Sequence, residues 1–152
     1  MPSMHSLLPK LITDFPAISF TAGDRFSWSP SEHTVFYISD SNDIGLLLHE
    51  LSHGLLNHHE YRKDVELVAI EAAAWEHAFT LAKHYQVTLD RDGAEANLDT
   101  YREWMHTRSI CPTCEANGYQ VKKGVYSCVA CGSDWKVNEA RLCGLRRSIL
   151  TN

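Results

Sequence analysis

The stretch Ile44-Gly45-Leu46-Leu47-Leu48-His49-Glu50-Leu51-Ser52-His53-Gly54-Leu55-Leu56 decides how this chain is read. It follows a polar segment, Asp40 to Asp43, that can cap a helix, and it is leucine-rich and free of proline, so it predicts a helix. Within it, His49 and His53 stand four residues apart and therefore share one helical face, where their imidazoles converge on a point. That geometry supplies two ligands for zinc. Glu50, one residue past the first ligand, projects beside the metal, where it can take a proton from a metal-activated water and later deliver it to a leaving amine. Leu46, Leu47, Leu48, Leu51, Leu55 and Leu56 predict a buried helix, and two His and a Glu are costly there unless something satisfies them.

Outward from this helix the chain reads as an α+β fold. Upstream, Ile18 and Phe20 alternate with polar neighbours, Gly23-Asp24 offers a turn, Phe26 and Trp28 alternate again, and Thr34 to Ile38 is β-branched and aromatic. These runs predict a small antiparallel sheet. Downstream, residues 64–85 lack Gly and Pro and are rich in Ala and Leu, which predicts a second, longer helix. A third is expected over Ala94 to Arg108, with Leu98, Tyr101, Trp104 and Met105 on its apolar side.

A catalytic zinc site needs a third protein ligand and one open position. Histidines 58, 59, 77 and 84 are options without a distinguishing spacing; His59 lies six residues after His53, but Leu56 stands where a turn-forming Gly would be needed. Glu71 is the strongest candidate. Leu67, Glu71, Ala74, Ala78, Leu81 and Tyr85 form one stripe of the second helix, so this carboxylate sits among small apolar residues on the face that meets the core, whereas Glu66 and Glu76 fall off it. Ala72, Ala73 and Ala74 would allow close approach of the two helices.

Leu46 to Leu56, followed by Ile70-Glu71-Ala72-Ala73-Ala74-Trp75-Glu76-His77-Ala78, resembles the gluzincin metallopeptidases, and within them the ImmA/IrrE-like group. The resemblance covers about residues 15–86 and is specific at His49, Glu50, His53 and Glu71. It implies a zincin core, a zinc-dependent endopeptidase with a protein or peptide substrate, and an extended peptide held by edge pairing, a part that Thr34 to Ser39 would take. The chain departs from the family after the third ligand, continuing into a cysteine module. An SprT-like protease acting on DNA-bound proteins also ends in a zinc ribbon, but such enzymes use a third His, and no His-Gly follows the motif here. A non-catalytic adaptor is the alternative from another class, although binding alone does not require Glu50.

Cys111-Pro112-Thr113-Cys114 and Cys128-Val129-Ala130-Cys131 are separated by 13 residues. Each pair makes a knuckle whose thiolates point the same way, and two knuckles close a tetrahedron, so the spacing predicts a structural zinc ribbon; iron could take the same ligands, with zinc favoured. Two zinc ions are thus expected, one catalytic and one structural. Tyr119, Tyr126 and Trp135 are expected to cover the knuckles, and Cys143, without a partner, to be a buried small hydrophobe. The expected division is 1–108 for the peptidase-like domain and 109–152 for the ribbon with its basic tail.

Composition sets the outer limits. With 152 residues, 44% hydrophobic and 22% charged, the chain has room for one domain and a small appendage and enough apolar surface to fold. The net charge of −5 divides unevenly: residues 1–99 hold 6 Lys/Arg against 15 Asp/Glu, and residues 100–152 hold 8 against 4. The acidic part excludes a general nucleic-acid coat, while Lys122, Lys123, Lys136, Arg141, Arg146 and Arg147 leave open a contact of the ribbon with nucleic acid or an acidic partner. No apolar run reaches bilayer length and the start lacks a leader pattern, which together predict no membrane partner and a cytoplasmic location.

Overall fold

The computed structural model describes residues 2–141 and 143–151. The chain is α+β. In order it forms α1 (Met4–Asp14), β1 (Ser19–Ala22), β2 (Ser27–Ser29), β3 (Thr34–Tyr37), α2 (Ile44–Leu55), α3 (Asp64–His84), α4 (Arg91–Ser109), β4 (Tyr119–Lys122), β5 (Val125–Ser127), β6 (Asp134–Val137) and β7 (Arg147–Ile149). No helix among the described residues is long and apolar enough to cross a membrane. Two compact units divide the chain, Met1–Glu60 with Ile70–Ala94, and Tyr61–Ala69 with Glu95–Asn152.

In the first unit, α1 is an element that the sequence reading lacks. Ser3 caps it with a reciprocal Ser3/Ser6 capping box, and Met4, Leu7 and Leu11 bury one side even though Pro9 lies inside the helix. The first sheet has the order β1-β3-β2. β2 and β3 pair antiparallel, as expected, with Trp28 opposite Val35. β1 departs from the antiparallel expectation and pairs parallel to β3, Ser19 opposite Thr34, and the Gly23 N–H still bonds to the Tyr37 carbonyl at 2.8 Å. With β1 on one edge of β3, β2 takes the other. β3 is therefore interior, both its edges are occupied, and Thr34 to Tyr37 has no free edge for the peptide expected along Thr34 to Ser39. The sheet edge against α2 belongs to β2.

α2 starts at Asp43, whose side chain accepts from the Leu46 N–H at 3.0 Å, and lies against β2 and β3. Contact is closest at Gly54, where an added Cβ would come within 2.9 Å of the Trp28 ring. α3 buries Leu67, Glu71, Ala74, Ala78 and Leu81 of the expected stripe and leaves Glu66 and Glu76 exposed, while Tyr85, the last member of that stripe, lies one residue past the helix and is half-buried.

In the second unit, β4-β5-β6-β7 form an antiparallel sheet around a core of Cys111, Tyr126, Cys128, Trp135 and Val137. Buried Arg108 donates to Asp64 at 2.8 Å, and the Tyr126 hydroxyl donates to the same carboxylate. The Trp135 indole N–H donates to the Arg108 carbonyl at 2.9 Å. These ties put residues 61–69 and the greater part of α4 in one unit with the cysteines, so the boundary expected at 108/109 falls inside it. Two expectations fail here. Tyr119 is 54% exposed on edge strand β4 and lies outside the buried cluster, and Cys143 is exposed.

Two candidate metal centres

The first centre is assembled by two helices. In the leucine-rich helix α2, His49 and His53 are one turn apart on the buried side, and α3 presents Glu71 from its apolar stripe. All three are buried, at 3%, 7% and 6% exposure. Glu71 Oε2 lies 2.8 Å from His49 Nε2 and 3.3 Å from His53 Nε2, and the two Nε2 atoms are 3.1 Å apart. Zinc with bonds of ~2.0–2.1 Å to N and O spans tetrahedral edges of ~3.3 Å, close to this triangle. Two imidazole nitrogens and a carboxylate oxygen are a donor set that suits zinc, so the residues fit the ion.

Burial raises the Glu71 carboxyl, but hydrogen bonds from His49 and His53 outweigh it and bring its pKa down to about 2. His49 also packs on Trp75, ring centroids 4.3 Å apart, while its Nδ1 is buried without a hydrogen-bond partner among the described residues. His53 differs, because its Nδ1 is 3.0 Å from Nδ1 of His58.

Glu50 is outside the ligand triangle. Burial raises its pKa above the ordinary carboxylate value, with His49, His53 and, least, the Trp28 backbone N–H on β2 opposing the shift.

The second centre gathers Cys111, Cys114, Cys128 and Cys131. Cys111 and Cys131 sulfurs are 3.6 Å apart and those of Cys114 and Cys128 3.5 Å, too long for disulfides and near the ~3.8 Å edge of a tetrahedron with ~2.3 Å Zn–S bonds. Both knuckles close by the same turn. The Glu115 N–H donates to the Cys111 carbonyl and the Gly132 N–H to the Cys128 carbonyl, each at 2.9 Å, with Glu115 at φ 66° and Gly132 at φ 79°. Burial raises the Cys111 thiol, yet the N–H groups of Cys114 and Thr113 overcome it and hold the pKa at about 6; hydrogen bonds from Ser133 likewise lower Cys131.

The chain matches no protein-family model, no curated protein and no solved structure.

The seven residues preferred as ligands from the sequence therefore fall into two groups, His49, His53 and Glu71 and the four cysteines, among the described residues. His58, His59, His77 and His84, weighed as third ligands, belong to neither. The contact of His58 with His53 is what the sequence reading missed, although a His five residues past a ligand, just beyond the end of the helix, was a visible signal. Of the six basic side chains named for the ribbon surface, three already have internal partners. Arg141 stacks on Tyr101 at 3.9 Å, Lys123 sits over Tyr61, and Arg147 donates to the Ile110 carbonyl.

Proposed function

We propose that this chain is a zinc-dependent endopeptidase of the gluzincin type, resembling the ImmA/IrrE-like group, in which His49, His53 and Glu71 hold the metal and Glu50 is the general base. The four cysteines hold a second, structural zinc in a ribbon. The observation that supports this most strongly is the triangle of His49 Nε2, His53 Nε2 and Glu71 Oε2, with edges of 2.8 to 3.3 Å, next to a carboxylate that stays outside it. A divalent cation at that point supplies a Lewis acid that acidifies water and polarises a carbonyl oxygen.

The chain's own groups do the rest. Glu50 receives on its carboxylate the proton of the water that attacks the peptide carbonyl, and returns a proton to the nitrogen of the departing amine. Its burial strengthens it as a base. Glu71 directs Oε2 at both Nε2 atoms, so it serves as a ligand and does not compete for that proton. A carboxylate in the third position supports the gluzincin reading over the SprT-like one. For a nucleic-acid partner, Lys122, Lys136 and Arg146 remain as exposed cations, a modest surface.

The test is proteolysis of an unfolded protein by wild type and Glu50→Gln, combined with a trapping screen that uses the inactive variant. The expected result is cleavage by wild type that a chelator abolishes and that the substitution reduces by ~10²–10⁴-fold or more. Equal rates for the two proteins would refute the assignment of Glu50. No cleavage of generic or trapped substrates under any metal condition would favour the adaptor.

A further inference from the structure

His58 stands against His53 because of the way α2 ends. Leu56 is the C-cap and Asn57 follows at φ 54°, in the left-handed region that Asn tolerates better than most residues. The Asn57 N–H donates to the Gly54 carbonyl at 3.2 Å and the His58 N–H to the His53 carbonyl at 2.9 Å. These two bonds define a Schellman motif, in which the side chains two positions past the cap and three positions before it meet, usually as an apolar pair. Here the two residues so joined are His58 and His53. Their Nδ1 atoms are 3.0 Å apart, their ring centroids 5.2 Å, and the rings are inclined by 65°.

One nitrogen of each imidazole therefore faces the other ring, on the side of His53 away from Nε2. His53 can present an Nε2 lone pair to a cation only as the tautomer protonated at Nδ1, and a proton there needs an acceptor when the ring is buried. His49 has no such acceptor among the described residues and is oriented by Trp75 instead. We propose that His58 is a positioning residue for the metal centre: its Nδ1 accepts the Nδ1–H of His53 and so fixes the tautomer and ring angle that aim His53 Nε2 at the cation. The inference rests on the reading of His49, His53 and Glu71 as a metal site, and it leaves His58 outside the ligand set, as its absence from the ligand group also does.

Two substitutions separate hydrogen bonding from packing. His58→Phe keeps a ring and loses the acceptor, while His58→Asn loses the ring and places an amide oxygen close to where Nδ1 was. The full chain, with its cysteines saturated by Zn²⁺, is titrated with Co²⁺ against a competing chelator, and the metal-free proteins are compared by melting temperature. His58→Phe is expected to weaken Co²⁺ binding by ~10–100-fold, the usual consequence of losing a ligand's hydrogen-bond partner, with His58→Asn close to wild type and melting unchanged. Wild-type affinity in His58→Phe would overturn the proposal, as would equal weakening in both variants, which would assign His58 to packing. Independently of any variant, nitrogen-resolved NMR of the Zn²⁺-loaded protein should show His53 bound through Nε2 and protonated at Nδ1; binding through Nδ1 would refute it. If wild type takes up no Co²⁺ beyond the cysteines, the metal reading itself fails and the proposal with it.

Discussion

At the His49–His53–Glu71 centre, side chains from two helices converge in the core of the first unit, and leucines and alanines hold them there. At the cysteine centre, two turns present sulfurs on short strands, with backbone N–H groups lowering the Cys111 thiol and two of the four sulfurs exposed. The first arrangement is a product of hydrophobic packing that exists for other reasons as well. The second has a small core, in which Cys111 and Cys128 are themselves two of the five core residues. A fold that counts its ligands among its core depends on the metal, whereas a site set into an independent core can lose its metal and keep its shape.

Metal removal is the strongest way to break this contrast. A chelator, or Cys111→Ser, should abolish hydrogen-exchange protection in β4 to β7, since structural zinc contributes about 10–16 kcal/mol in small zinc folds. Glu71→Gln should cost metal at the other centre while protection in α2 and α3 persists. Comparable loss of protection in both units after chelation would contradict the contrast.

Two glycines sharpen it at the level of packing. A Cβ at Gly118 would come within 2.3 Å of Trp135 and 2.5 Å of the Ser127 carbonyl oxygen, and that backbone atom cannot be displaced without moving β5. At Gly54 the nearest atoms belong to the Trp28 ring and the Ile18 side chain. Gly118→Ala should therefore destabilise its unit by more than the ~1–3 kcal/mol usual for an overpacked site, and Gly54→Ala its own unit by an amount within that range, both measured by denaturant unfolding. The reverse order would mean that the helical unit is the tighter of the two.

The smallest effect concerns a tie that needs no metal. The Tyr85 hydroxyl at the end of α3 donates to Asp14 at the end of α1; burial, then this bond, pushes the Tyr85 pKa up to about 12. A raised pKa means that the protonated phenol is the form favoured by folding. Its contribution is complete below the ordinary Tyr value of ~10 and disappears as the pH climbs through about 12. Tyr85→Phe should cost no more than ~1 kcal/mol at neutral pH and remove that part of the alkaline decline, as followed by circular dichroism in a pH titration.

Much of the site was legible because it rests on periodicity. A four-residue His spacing and a helical stripe that includes Glu71 translate directly into shared faces, and two Cys-x-x-Cys pairs into knuckles. Pairing partners follow no such rule. Short strands like Ser19–Ala22 and Ser27–Ser29 carry too few residues to say which neighbour they will take or in which direction, so the parallel β1–β3 pair and the interior position of β3 emerge only in three dimensions. α1 was hidden by Pro9, although Met4, Leu7 and Leu11 fall at helical spacing after a Ser3/Ser6 pair. The His58 contact depends on the left-handed turn at Asn57, a local choice that composition does not announce.

The peptide N–H of residue 28 favours the ionised form of Glu50, and it does so whatever side chain that residue carries. Evolution could exchange Trp28 for almost any amino acid and leave this donor in place, with proline, which lacks the hydrogen, as the forbidden choice. The tryptophan side chain answers instead to its own neighbours, the Gly54 backbone and the His33 ring, and those positions should drift together while Glu50 stays where it is.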